Sequence, residues 1–362
     1  MAISSMALAT TSFLLRIFSL LFLAASVAVM AANNVTDFGF FYDFDGTRDQ
    51  FTDHITYRYV VAIASIASLY TLIQIPFGVY HLCNGKRWIR NGCLPIFDYY
   101  CDMLMSFLLA TATGAGFAMT YELRTYAGYP PEGFGRTKKY LDIVYVSVSL
   151  LFLGSICTAV LSVISSYFRK FKKNIRGRYS NTSLLKMASL SNAKTSLVLR
   201  ILTLLLLLAS VILLATCTIP DFNHDFNDRF NVLLTYRYVF SIDILGGLYS
   251  LIQIIFGMYY FYTGSRWIQN GCLPNFDLYG DMVINFLLAT ASGAGFAVTY
   301  EINKNVVIDV GFGGRTKYPN QLYVSIGLLF LGSICMAILS VLSSISRESN
   351  SSSGKRSSFM TG

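Results

Sequence analysis

Eight long apolar runs alternate with short polar segments along the chain, at roughly 11–32, 57–81, 101–121, 142–167, 197–219, 236–262, 280–301 and 321–345. A helix needs about 20 mainly apolar residues to cross a bilayer. Only helices and closed barrels satisfy their backbone groups in lipid, and these runs are too long and unbroken for barrel strands. The pattern predicts an all-α, polytopic membrane protein with eight transmembrane helices. The first run ends on the small residues Ala31 and Ala32, so a cleaved signal peptide is its competing reading.

The runs are two copies of one set. Tyr57-Arg58-Tyr59 returns at 236–238, LIQI at 72–75 returns at 251–254, and NGCLP at 91–95 returns at 270–274. FLLAT at 107–111 and GAGFA at 114–118 return at 286–290 and 293–297, and LLFLGSIC at 150–157 returns at 328–335. The offset is 179 residues over most of this range, 178 at its end and 184 between Arg16 and Arg200. A period this long is no solenoid repeat; it is one four-helix unit present twice. The partner of 11–32 is the internal run 197–219, which no signal peptidase removes, so the first run is expected to be a retained span. An even number of helices returns the chain to its starting side. The two bundles are therefore parallel repeats. The expected layout is a first unit at 1–167, a basic linker at 168–196, a second unit at 197–346 and a Ser-rich tail at 347–362.

Composition agrees. Of 362 residues, 54% are hydrophobic, 15% aromatic and 13% charged, where a soluble domain carries about 25% charged residues. Disordered, coiled-coil and collagen-like chains are excluded, and seven Cys in a chain this long make no disulfide framework. The net charge of +9 is an orientation signal and not a nucleic-acid one. The linker alone holds Arg169, Lys170, Lys172, Lys173, Arg176, Arg178, Lys186 and Lys194 with no acid. Lys86, Arg87 and Arg90 add to the same side, while the first loop is acidic, with Asp37, Asp43, Asp45, Asp49 and Asp53. The positive-inside rule places the linker and both termini in the cytoplasm. Arg136, Lys138 and Lys139 fall on the other side and argue weakly against this. Asn34-Val35-Thr36 is then a glycosylation candidate on the outer side, and the sequons at Asn181 and Asn350 are cytoplasmic.

Charges inside the membrane cost roughly 2.5–3.5 kcal/mol each on insertion scales and need partners or a way to water. Arg16 and Arg200 lie near the cytoplasmic start of helices 1 and 5, and Asp102 and Asp281 near that of helices 3 and 7. The expectation is an Arg16–Asp102 pair and an Arg200–Asp281 pair; the alternative is that each Arg snorkels alone to the headgroups. Nearer the outer side, Arg58 with Glu122 and Arg237 with Glu301 are candidate pairs. Asp243 breaks the symmetry, because its counterpart is Ala64. Gln74 and Gln253 are candidates for hydrogen bonds between helices. Small-residue runs at Ala110 to Gly116 and Ala289 to Gly295, with Gly154-Ser155 and Gly332-Ser333, allow close helix approach, within a bundle or between copies.

Catalytic signatures are missing from the sequence. His54, His81 and His224 have no metal-ligand spacing, and no HExxH, CxxC, Walker loop or dinucleotide motif occurs. The expectation is a protein that is not an enzyme, with no cofactor and no metal. Cys83, Cys93 and Cys272 lie near the membrane on the cytoplasmic side and are palmitoylation candidates.

The Arg of helix 1, the Tyr-Arg-Tyr opening of helix 2, the cytoplasmic Arg-Trp, and the Asp of helix 3 followed by FLLAT and GAGFA resemble the plant Casparian strip membrane domain protein-like (CASP-like) family. The likeness is strongest to subfamily 4 and covers nearly all of both halves. That family is in turn similar to the MARVEL four-helix proteins. Its marker Arg and Asp fall on Arg16 and Asp102, and again on Arg200 and Asp281. Two features depart from it: members usually have one unit, and the loop signature of the true Casparian strip members is absent from the acidic first loop. The resemblance implies a plasma-membrane scaffold that self-associates or joins related CASP-like proteins, organises membrane domains and guides local cell-wall modification. The rival reading is a small-solute or ion transporter using the intramembrane pairs. A third is a tether that holds anionic lipids at the basic linker and is switched by phosphorylation of Ser180, Ser183, Ser189 or Ser191.

Overall fold

The computed structural model describes residues 2–33, 35–36, 48–49, 54–84, 94–127, 135–176, 182–220, 227–229, 233–263, 273–309 and 318–357. Its helices are α1 (Ala2–Ala32), α2 (Ile55–Asn84), α3 (Leu94–Ala127), α4 (Gly135–Arg176), α5 (Thr182–Ala215), α6 (Leu234–Thr263), α7 (Leu273–Asp309) and α8 (Tyr318–Ser357). Each contains one of the eight expected spans, long and apolar enough to cross a membrane. Two short antiparallel pairings join them: β1 (Val35–Thr36) with β2 (Arg48–Asp49), and β3 (Thr218–Pro220) with β4 (Asn227–Arg229). The hydropathy pattern does not foresee these strands, which are too short to have a period.

The basic segment expected as a linker is largely helical. α4 runs to Arg176 and α5 starts at Thr182. Lys and Arg are good helix formers, and the first breaker after α4's span is Gly177. α8 likewise continues into the Ser-rich tail, to Ser357. Pro76 lies inside α2, where its counterpart on α6 is Ile255; lipid-spanning helices tolerate Pro when neighbours re-satisfy the freed carbonyl. The residues fall into two compact units, Met1–Tyr167 with Gly293–Ile308, and Phe168–Ser292 with Asp309–Gly362.

Within each unit the helices turn polar residues inward alongside an apolar core and present apolar side chains outward. α1 buries Arg16, Ser19, Leu23, Ser26 and Met30, spaced alternately three and four residues apart, and the stripe continues to Asn33 just beyond its end. Leu14, Phe18 and Leu21 point away from that stripe and are half exposed. α5 repeats the arrangement with Arg200, Thr203, Leu207, Ser210 and Leu214, then Cys217, and turns Val198, Leu205 and Ile212 outward. α2 buries Tyr57, Val60, Ala64, Ala67, Thr71 and Gln74 at the same spacing, and α6 buries Tyr236, Val239, Asp243, Gly246, Ser250 and Gln253. Alternate steps of three and four keep one seam of a helix facing its neighbours. Lipid solvates the apolar side, so polar residues collect on the seam. Arg16, Ser26, Gln74, Arg200 and Gln253 are hydrogen-bonded there, whereas Ser19, Asp243 and Ser250 have side-chain oxygens without a hydrogen-bond partner. α3 and α7 are the most enclosed of the spans.

Small side chains set the helix spacing. A Cβ on Gly154 of α4 would come within 2.8 Å of the Leu23 side chain of α1, and one on Gly332 of α8 within 2.8 Å of Leu207 of α5. Gly116 of α3 meets Val148 of α4 in the same way, at 2.9 Å. In the first unit Gly293 of α7 abuts α3, and a Cβ there would fall on the Thr111 carbonyl. Close approach lets serines bond across the gap. The Ser26 hydroxyl donates to the Ser147 carbonyl and the Ser147 hydroxyl to the Ser26 carbonyl, both at 2.8 Å. Ser325 donates to the Ser210 carbonyl at 2.9 Å in the second unit. The helix-2 starts match too: the His54 carbonyl accepts from Tyr57 and Arg58 N–H groups, and the Leu233 carbonyl from Tyr236 and Arg237.

Candidate functional site

Both expected intramembrane pairs form. Arg16 Nη1 and Nη2 donate to Asp102 Oδ1 and Oδ2 at 3.3 and 3.1 Å. Arg200 Nη1 and Nη2 donate to Asp281 Oδ1 and Oδ2, both at 3.1 Å. The two-pronged geometry matches a planar guanidinium to a planar carboxylate. Exposure decides between a pair and a snorkelling Arg: the side chains are 8% and 2% exposed in the first pair and 7% and 0% in the second. Neither Arg reaches past the bundle surface.

Each carboxylate also collects two hydroxyls. Tyr70 of α2 donates to Asp102 Oδ1 at 2.7 Å, and Ser165 of α4 donates to Oδ2 at 2.8 Å. In the second unit Tyr249 of α6 donates to Asp281 Oδ1 at 2.8 Å and Ser343 of α8 to Oδ2 at 2.6 Å. One residue from every helix of a four-helix unit therefore meets on one carboxylate. Gln74 Nε2 donates to the Tyr70 hydroxyl at 3.4 Å, and Gln253 Nε2 to that of Tyr249 at 3.2 Å. The glutamines, candidates for hydrogen bonds between helices, each bond a Tyr one turn back on their own helix and reach the next helix through that phenol.

The physical effect is local neutrality with saturated acceptors. A buried charge is costly unless it is paired and its remaining lone pairs are filled. Here both oxygens of each Asp accept two donors. One turn further along the seam lie buried Ser19, Ser106 and Ser162 in the first unit, and Thr203, Asn285 and Ser340 in the second. Beyond them is an apolar layer containing Leu23 and Leu109, or Leu207 and Leu288, with no measurable exposure beyond 1%. That layer separates the clasp from the serine contacts nearer the strand end. The clasp is a closed fastening between helices.

The remaining expected residues are placed less symmetrically. Glu301 Oε1 lies 3.9 Å from His54 Nδ1 within the first unit. Arg58, Glu122 and Arg237 each have an interaction of their own. Arg124 pairs with Asp142 at 3.1 Å and lies over the Tyr145 ring at 5.6 Å. Half-exposed pairs of this kind contribute little. Cys83 is exposed at the end of α2; Asn34, Cys93 and Cys272 lie outside the described residues. Cys217 lies just past the α5 span, where burial pushes its thiol above the usual range. Among the described residues no group of three or more His, Cys, Asp or Glu is placed to hold a metal.

Tyr70, Ser165 and their counterparts were not singled out from sequence. A signal existed: each recurs in the second copy, Tyr70 as Tyr249 and Ser165 as Ser343. Identity between duplicates marks them, whereas residue type does not, since Tyr and Ser are common throughout both spans.

Comparison with known proteins finds the same duplication. The family described as Casparian strip membrane protein domain matches twice, at residues 5–157 and 189–335. CASP-like protein 4D1 of Ricinus communis is 36% identical over 163 residues, which cover 45% of this chain and 93% of that protein. CASP-like protein 4D2 of Arabidopsis thaliana is 32% identical over 156 residues, covering 42% of this chain and 86% of that protein. CASP-like protein 4D1 of Sorghum bicolor is 30% identical over 200 residues, covering 49% of this chain and 100% of that protein. Each relative thus aligns with less than half of this chain. No solved structure matches it.

Proposed function

For a chain that belongs to the Casparian strip membrane protein domain family, and carries that domain twice, we propose a non-catalytic scaffold role in the plasma membrane. In this reading the protein self-associates, or joins related CASP-like proteins, to organise a membrane domain and to guide local cell-wall modification. The observation that carries it is the clasp. Each intramembrane Arg and Asp is spent on fastening four helices, with every acceptor filled from the same unit and an apolar layer beside it. Such a residue set is suited to rigidity and has no open position for a substrate. A chain with paired charges inside and apolar side chains outside is a stable object in lipid, which is what a long-lived platform requires. Both termini are cytoplasmic in this reading, and the basic segment between the units faces anionic lipid.

Photobleaching of a fluorescent fusion in plant cells tests the proposal, together with co-purification of two differently tagged copies. Slow recovery and homotypic capture are the expected results. Fast, complete recovery of a protein that does not capture its own copies sinks the scaffold reading. Reconstitution in liposomes addresses the transporter alternative. Solute flux that Asp102→Asn and Asp281→Asn abolish, without loss of folded protein, would replace the scaffold with a carrier.

A further inference from the structure

Asp243 takes no part in any contact described above. It sits on the buried seam of α6 where Ala64 sits on α2, and its exposure is 0%. Neither carboxyl oxygen has a hydrogen-bond partner. Helix register places its surroundings. Gly246, one turn away on α6, faces Leu207 of α5 and Leu288 of α7, a Cβ there coming within 3.2 and 3.0 Å of their side chains. Asp243 lies one turn nearer the β3–β4 end, level with Ser210 of α5, whose hydroxyl bears on the carboxyl while sharing a 3.4 Å contact with Ser325 of α8.

Among the described residues no cation lies at that level to neutralise it. On α5 the nearest charge is Arg200, committed to Asp281 and about 15 Å away along the helix. On α6 it is Arg237, which is exposed. Within the second unit α7 offers Asp277 and Asp281, both acids, and α8 has no charged residue between Tyr318 and Ser346. The nearby phenols are Tyr236 and Tyr249 on α6 and Tyr323 on α8. Tyr236 is two turns outward, Tyr249 is bonded to Asp281, and Tyr323 is half-buried on another face from Ser325.

An ionised, unpartnered carboxylate does not persist in such a core. Three ligands would relieve it. A basic side chain is absent at this level among the described residues. A metal ion needs several oxygen or nitrogen ligands, and the described residues gather no such set. A proton needs no room at all. We propose that Asp243 is a proton-binding site in the core of the second unit, carried there as the neutral acid. The first unit has the same serine contact, Ser26 with Ser147, around Ala64, and so lacks the site. Loss of the proton places a lone charge between α5, α6 and α8. The second unit therefore responds to pH through this residue, and the first does not.

Dicyclohexylcarbodiimide, an apolar carbodiimide that reacts with neutral carboxylic acids in membranes, is the probe, applied to the full-length protein in lipid nanodiscs. The carboxyl O–H adds across one C=N bond: an O–C bond forms and the proton passes to nitrogen. An acyl shift then leaves a stable N-acylurea, with no leaving group. Peptide mapping should find the adduct at Asp243, decreasing as the pH of reaction is raised and lost in D243N. Infrared difference spectra between wild type and D243N give an independent reading, expected to show the carbonyl band of a protonated acid. Carboxylate bands in that difference, or an adduct whose yield at Asp243 is the same at every pH, overturn the proposal. D243A guards against a variant that does not fold, since Ala64 shows that alanine suits this seam position.

Discussion

Asp102 accepts from three other helices at once, so a change there removes more than one contact. Asp102→Asn leaves the Arg16 guanidinium buried without its counter-charge, and breaking a buried pair from one side costs about 3–5 kcal/mol. Thermal unfolding in detergent should show that loss, and Asp281→Asn should show one of similar size. Unchanged melting would mean that the pair fastens nothing. Replacing both partners by apolar residues, Arg16→Met with Asp102→Leu, should recover most of the stability, because the pair's desolvation cost disappears with it. Tyr70→Phe removes one of four donors and should cost only about 0.6 kcal/mol, the average for hydrogen bonds between lipid-embedded helices. Arg16 and Asp102 were legible in the sequence because a charge stands out in an apolar run. Tyr70 and Ser165 were not, because neither residue type is unusual there and their role appears only when four helices meet. Asp243 was legible as an asymmetry, but its lack of a partner was not.

Helices owe their spacing to a few positions without side chains. Gly154→Val inserts atoms where a single Cβ already comes within 2.8 Å of Leu23. Overpacking of this sort costs about 1–3 kcal/mol, and it should also separate Ser26 from Ser147. Gly327→Ala is the matched control, since nothing lies within 4 Å of a Cβ there. It should raise stability by up to about 1 kcal/mol through helix propensity. Melting temperatures of the two variants should therefore move in opposite directions; movement in the same direction would show that the glycines do not set the helix spacing. All eight helices were legible from hydropathy, yet the face that each buries was not. In lipid the apolar face of α1 looks outward, with Leu14 and Phe18 exposed while Arg16 and Ser19 are buried. A reading that sends the greasiest side to the core would have turned these helices around. The strands β1 to β4 were also invisible, being too short for alternation to register.

Across the whole chain, orientation rests on very few residues. Each unit has an even number of helices, so both must face the same way, and one charge imbalance orients eight spans. The segment between the units holds eight basic residues and no acid. If all eight become Gln, what remains on the same side is Lys86, Arg87, Arg90 and Arg266 with Arg347, Lys355 and Arg356 of the tail, set against Arg136, Lys138, Lys139, Arg315 and Lys317 in the loops opposite. That bias is nearly balanced, and the positive-inside rule then predicts a mixture of orientations. Cys83 reports on it, because it is exposed at the end of α2 on the basic side. With Cys83 as the sole cysteine, a membrane-impermeant maleimide should leave the parent protein unlabelled in sealed right-side-out vesicles. The neutralised chain should be labelled in a substantial fraction of molecules. Labelling of the parent itself would reverse the orientation, and with it the assignment of the basic segment to the cytoplasm. Protection of both would shift the determinant to the acidic loops and to the short basic loops at the helix ends.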